Sequence, residues 1–315
     1  MNQSKQITDG ALLIGVFIVL LLIAMFVPAA ILVAIFLLPV PFVLYASRYD
    51  WKPSLLMFAV AILFTLLFAT YLSLPITILV GIAGIMIGSA IHHGLSPYET
   101  WGRGAIGFIA GLVLVFLFMQ FILQVNLINV LNEMFDESME MSQDIIGQFG
   151  LANQAEDQLA LIQEQMSMVM DLIPVGLAFV AIALAFITQW VSYKVMNRLE
   201  NKQLKFPPFR SLRFPAAIIW VYFVALLFTF VDLDPNGVFY LAVVNIMSLA
   251  GLIMTIQGLS FIFFYTNHKK WPKAIPVISV ILTLLLPFLF LYFVRILGII
   301  DIGFGLRDRI AQSKK

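Results

Sequence analysis

The imidazoles of this 315-residue chain are His92, His93 and His268, and it has no cysteine. The groups that usually build nucleophile–base pairs and metal sites are therefore scarce. No histidine stands in an H-E-x-x-H pair, His92 and His93 have no evident third ligand, and no Gly-rich loop ends in Gly-Lys-Ser or Gly-Lys-Thr. Six of the 14 methionines fall between Met134 and Met170, but Met166, Met168 and Met170 at i, i+2 spacing divide between helix faces and make a poor copper site. The sequence predicts no catalytic residue, no metal and no cofactor, and no enzyme. Replacing Asp301 or Arg307 would be the test for a membrane enzyme. What remains for recognition is a set of uncharged amides, Gln120 and Gln124 one turn apart, Gln189, Asn245 and Gln257. Amides in apolar helices hydrogen-bond across a bundle. If these converge near the outer leaflet, they line a pocket for a neutral polar ligand.

The elements that must position them are membrane helices. Hydrophobic residues make up 62% of the chain and charged residues 11%, with a mean hydropathy of +1.02, far from a soluble domain. No charge occurs from Gly10 to Ser47, enough for two spans divided at Pro28, the second kinked by Pro39 and Pro41. Pro53 to Ile91 holds a third and fourth span, broken at Ser73-Leu74-Pro75. A fifth runs from about Gly104 to Asn126, a sixth from Leu172 to Tyr193, a seventh from Phe214 to Val231, an eighth from Val238 to Thr266 and a ninth from about Ala274 to Val294. The expected fold is an all-α polytopic bundle of about nine spans, none carrying Asp, Glu, Lys or His.

Sign of charge orients the bundle. Between Arg103 and Lys194 there is no Lys, Arg or His, yet Leu127 to Asp171 carries nine acids. That insert belongs outside the cytoplasm. Leu127, Leu131, Met134, Met141, Ile145 and Phe149 recur at helical spacing, and Leu159, Ile162, Met166 and Val169 mark a second helix, so the insert reads as an amphipathic hairpin. The domains expected are a membrane half over 1–126, the acidic hairpin over 127–171 and a second membrane half over 172–315. The loop 194–213 crowds six bases, including Arg198, Lys202 and Arg210, and is the strongest cytoplasmic signal. It would attract anionic lipid or a docking partner. The N-terminus is then cytoplasmic, and an odd span count puts the tail, with Arg295, Arg307, Arg309, Lys314 and Lys315, outside; the alternative is eight spans, with a re-entrant element around Pro287 that leaves the tail inside.

Small residues mark the contacts between helices. Gly81, Gly84 and Gly88 share a face with Thr77, as do Gly104, Gly107 and Gly111; Ser248, Gly251 and Gly258 repeat the pattern with Thr255. Such stripes let backbones approach, with a partner helix or flat ligand as the alternative occupant.

Four short motifs in order carry a resemblance: Gly10-Ala11-Leu12-Leu13, Leu38-Pro39-Val40-Pro41, Gln257-Gly258-Leu259, and Gly298-Ile299-Ile300-Asp301 followed by Leu306-Arg307-Asp308-Arg309. Over nearly its whole length the chain resembles the YybS-like membrane family, DUF2232. Over its first five or six spans it is similar, more distantly, to the S components of energy-coupling-factor transporters. That resemblance implies a bacterial inner-membrane subunit that captures a small solute or lipid-like ligand and relies on separate ATPase and coupling subunits. Ala11 and Gly15 are the nearest match to the small-residue step by which S components dock. The rival expectation is a non-transporting scaffold in an envelope, division or sporulation assembly. The bilayer is a partner in both, and nucleic acid in neither.

Overall fold

A computed structural model describes residues 3–148, 161–162, 165–166, 168–235 and 237–312, and those residues contain helices and no strand. The helices are α1 (Gln3–Phe26), α2 (Ile31–Leu37), α3 (Val40–Tyr49), α4 (Trp51–Phe68), α5 (Leu74–His92), α6 (Pro97–Phe121) and α7 (Leu127–Gln148). After them come α8 (Ile173–Glu200), α9 (Ala217–Phe228), α10 (Val238–His268), α11 (Ala274–Leu285), α12 (Pro287–Phe304) and α13 (Leu306–Gln312). Among the described residues, eight helical segments are long and apolar enough to cross a membrane, one of them being Leu32–Tyr49 with its break at Pro39.

The chain divides into two compact units, Met1–Met170 with Leu177–Phe206, and Asp171–Gly176 with Pro207–Lys315. In the first unit α5 is central, packed on α3, α4 and α6. Backbone proximity holds it there: a methyl added to Gly84 would lie 2.7 Å from the Pro39 carbonyl oxygen, and one on Gly88 would lie 2.5 Å from that of Val43. Gly104, Gly107 and Gly111 of α6 meet Ile87, Ala83 and Leu79, while Gly81 faces the Phe58 ring. α6 starts earlier than its apolar run, because Ser96 and Glu99 form a capping box around Pro97 and satisfy the first amides. Of the acidic insert, α7 is described, with Glu133, Asp136, Glu137, Glu140 and Asp144 all exposed; residues 149–160 lie outside the described residues, and of the expected second helix Ile162, Met166 and Val169 are helical while Leu159 lies outside them.

In the second unit α10 and α12 make the main contact. Gly258 abuts the Val294 carbonyl and Gly298 abuts the Met254 carbonyl, approaches closed to any residue with a side chain. Ser248 is half-buried on the same helix. The pairs Gly251–Arg295, Met254–Gly298 and Gln257–Asp301 advance together along both helices, so α10 and α12 run parallel.

That direction replaces the single ninth span by the alternative, a chain that turns back around Pro287. Pro287 lacks the amide a continuing helix needs, so the run breaks at Leu286, α11 ends after 12 residues and α12 returns toward the end where α10 finishes. The tail therefore lies at the same end of this unit as 207–213, where Arg213 pairs with Asp308 at 2.8 Å. The expected seventh span is likewise a 12-residue helix, α9, about 18 Å long and short of a bilayer core. Because α12 reaches Phe304, the last long helix holds Arg295 and Asp301, and the expectation of acid-free spans fails there.

Single cysteines can check this arrangement in a chain that has none. Arg309→Cys and Ser211→Cys are expected to label from one side of the membrane and Asp232→Cys from the other; labelling of residue 309 with residue 232 would refute the parallel arrangement. Gly258→Leu is expected to lower stability by about 1–3 kcal/mol or prevent folding. Gly15→Ala, where an added methyl meets nothing within 4 Å, is the matched silent control in the same melt.

Candidate functional site

Gly305, with φ 58° and ψ 42°, turns the chain between α12 and α13, a left-handed conformation that glycine adopts without strain. The turn brings Arg307 back against the end of α12. Its Nε donates to Asp301 Oδ2 at 2.8 Å, with 2% and 3% of the two side chains exposed. Nη1 donates to the carbonyls of Arg210 and Leu212 at 2.9 and 3.0 Å, and Nη2 to Ser260 Oγ at 3.1 Å. Gln257 Nε2 donates to the same Asp301 oxygen, while its Oε1 accepts from the Phe214 amide at 3.1 Å. The guanidinium also lies 5.4 Å from the Phe264 ring centroid. Burial pushes the Arg307 guanidinium below its ordinary pKa, and the Asp301 charge opposes that shift.

This is a closed network. It ties the loop 207–214 to α10, α12 and α13, and its donors are already engaged. Beside it a cavity of about 190 Å³ is lined by Arg213, Asp308, Gln257, Asp301 and Arg307 among others. Removing one member of a buried pair leaves an uncompensated charge, whereas replacing both by apolar groups is often tolerated.

The other candidate residues are dispersed. Gln189 is fully buried and donates to the Pro97 carbonyl at 2.9 Å, at the start of α6. Gln120 lies near the end of that helix, and Gln124 is beyond it with φ 54° and exposed. These three therefore do not line one pocket, because α6 stops at Phe121 and Gln124 leaves its face. In the second unit Asn245 caps the start of α8, donating to the Asp171 carbonyl at 2.7 Å and accepting from the Val175 amide at 3.2 Å. Gln257 belongs to the Arg307 network some three turns further along α10. Of the basic loop, Lys202 pairs with Glu200, which also takes Arg48, while Arg48 holds Asp9. Arg198 is exposed. Arg210 donates to Asn267 Oδ1 at 2.8 Å on the edge of a groove of about 560 Å³ shared with Lys270, Lys273 and Trp271.

His92 and His93 serve the turn between α3 and α4, whereas His268 stacks on Phe264 at the end of α10. Asp50, with φ 66°, accepts from Ser89 Oγ at 2.8 Å and lies 3.7 Å from His93 Nδ1. Burial raises the Asp50 carboxyl, but Ser89, the Trp51 amide and the two histidines together hold it below its ordinary value. Among the described residues no three His, Asp or Glu side chains form a metal-holding group.

The first unit carries an apolar groove of about 480 Å³ between α1 and α4. Ile7, Gly10, Ala11, Ile14, Gly15, Ile18 and Val19 form one wall, with Leu56, Met57, Val60, Phe64 and Phe68 opposite. Tyr45 closes one end, its ring seated against Gly10. Ala11 and Gly15, which the resemblance offered as a docking step, lie on the α1 wall; the α4 wall was not expected and only packing reveals it. Sequence reasoning also missed the Arg307 network, whose signal was a pair of opposite charges six residues apart around a glycine.

Asp301→Ala or Arg307→Ala alone is expected to destabilise the protein by about 3–5 kcal/mol, and Asp301→Leu with Arg307→Met to recover most of that loss. Chemical melts of the three variants in detergent check the non-additivity; equal and additive losses would remove the network from its anchoring role.

The chain matches, over residues 15–302, the family model described as "Predicted membrane protein (DUF2232)". It is 30% identical over 310 residues, 98% of this chain and 100% of the relative, to the Bacillus subtilis (strain 168) protein described as "Uncharacterized protein YybS". No solved structure matches. The chain, an integral membrane protein built around a helical bundle, thus belongs to the DUF2232 family of predicted membrane proteins.

Proposed function

We propose that this protein is the ligand-capturing membrane subunit of a transport system, that its ligand is lipid-like, and that it does no chemistry of its own. The observation that carries the reading is the α1–α4 groove. Its lining is almost wholly apolar, and it follows α1 from Ile7 to Val19 and α4 from Leu56 to Phe68, about 18 Å on each helix. Its volume lies in the range of small-molecule sites, which combine apolar walls with a few polar groups. Tyr45 supplies the polar group at one end.

Gly15 supports the same assignment. A methyl there would meet nothing within 4 Å, so this glycine is not spent on contact inside the bundle. The Ala11-x-x-x-Gly15 step is thus free for a ligand or for a coupling subunit's helix. Hydrolysis of ATP would come from separate subunits. Positive-inside bias puts the N-terminus and the 194–213 loop in the cytoplasm of a bacterial cell and 127–171 outside.

A second reading, a scaffold in an envelope assembly, is favoured by α7. Ile128, Leu131, Met134, Met141 and Ile145 are exposed on the same helix as its acids, leaving an apolar stripe uncovered among the described residues. Gentle purification followed by native mass spectrometry separates the two. A bound amphiphile lost in Gly15→Trp, at a stability within about 0.5 kcal/mol of the parent, is the expected result. Co-purification of an ATPase pair would add the transport role. Envelope partners lost on deletion of 127–171, with no amphiphile bound to the parent protein, would replace it by the scaffold.

A further inference from the structure

Arg295 stands in the middle of α12, in the run Phe290-Leu291-Tyr292-Phe293-Val294-Arg295-Ile296-Leu297. Its guanidinium faces Gly251 of α10: a methyl there would lie 2.9 Å from Cζ and 3.1 Å from Nε. Gly251 is thirteen residues from the start of the 31-residue α10 and seventeen from its end. At helical rise these are about 20 and 26 Å, more than an arginine side chain can span to reach a headgroup. Among the described residues Arg295 has no ion pair and no hydrogen bond, and its Nε is buried with no partner. The acid nearest along the helix, Asp301, is already held by Arg307 and Gln257.

A charged side chain at such a depth is expensive and is rarely left without a counter-ion. Here the surroundings hold it in place: Val294 and Gly298, its neighbours on α12, are clamped against Gly258 and Met254, so α12 cannot rotate Arg295 away. The side chain is half-buried, with part of it accessible. A planar guanidinium with free donors matches the paired oxygens of a carboxylate or phosphate.

We propose that Arg295, seated against Gly251, is the anchor of a binding site for an oxyanion, a carboxylate or a phosphate, inside the helical bundle of the second unit. The site is independent of the α1–α4 groove. Unlike Arg307, whose donors are consumed by the protein, Arg295 keeps its donors for a ligand.

The test uses the full-length protein in neutral detergent, with inorganic phosphate, acetate, dodecyl phosphate and laurate as probes and uncharged dodecanol as control. Melting midpoints and apparent affinities are measured for the parent, Arg295→Met, Arg295→Lys and Gly251→Ala. An anion-dependent rise in the parent, weakened at least tenfold in Arg295→Met and partly kept in Arg295→Lys, is expected. Arg295→Met should melt above the parent without anion, since an uncompensated charge has been removed; a structural arginine would give the opposite sign. Gly251→Ala keeps the charge but displaces it, and should weaken binding even if Arg295→Met does not fold. Response to the soluble anions assigns a solute, and response to the twelve-carbon anions alone assigns an amphiphile. No anion response in the parent, or an equal response in Arg295→Met or Gly251→Ala, overturns the site.

Discussion

Lipid tails are as apolar as leucine, so inside a bilayer one apolar helix has no hydrophobic reason to prefer another over lipid. Association must come from contact close enough for dispersion and backbone dipoles to matter. This chain achieves it by bringing backbones together at glycine. Gly84 and Gly88 admit the carbonyls of Pro39 and Val43, and Gly258 and Gly298 form a reciprocal pair with Val294 and Met254. The rest of each unit hangs on these seams. In the second unit, the Gly258–Val294 and Gly298–Met254 contacts align α10 with α12, and that alignment alone sets Gln257 beside Asp301 and Gly251 beside Arg295.

The same seam sorts two arginines into opposite roles. Arg307 is wrapped by a carboxylate, two carbonyls, a hydroxyl and two aromatic rings, so its burial is compensated and it fastens the loop to the helix ends. Arg295, six residues before Asp301 and so about 9 Å along the helix from that closure, has none of this. A protein that can build a complete shell around one guanidinium and leaves another bare is treating the two differently. The bare one is where charge recognition belongs.

The proposed site for a lipid-like ligand is a separate feature, in the first unit. The α1–α4 groove is walled by residues that any hydropathy profile would assign to lipid contact, yet they line a concave slot with Tyr45 at one end. The acidic helix α7 adds a third uncovered surface, apolar on one side and charged on the other. Each of these features sits at a place where the bundle leaves small residues or apolar side chains without an internal partner.

Some of this was legible in the residues themselves. Charge-free runs and prolines locate the membrane helices, because the cost of burying a charge or a backbone group in hydrocarbon is local and shows in composition. Ser96-Pro97-Tyr98-Glu99 announces the start of α6 for the same local reason, and the acids of 127–171 announce a solvated insert. Tertiary structure decided the rest. Hydropathy left open whether the stretch from Ala274 onward is one span or turns back around Pro287; the break there and the parallel docking of α12 on α10 set the tail at the end of its unit where α10 finishes. Whether Asp301 and Arg307 neutralise each other, and whether Arg295 finds a partner, depends on which helices lie side by side and in which direction. Composition along a chain carries the price of each charge, but only packing says which charges meet.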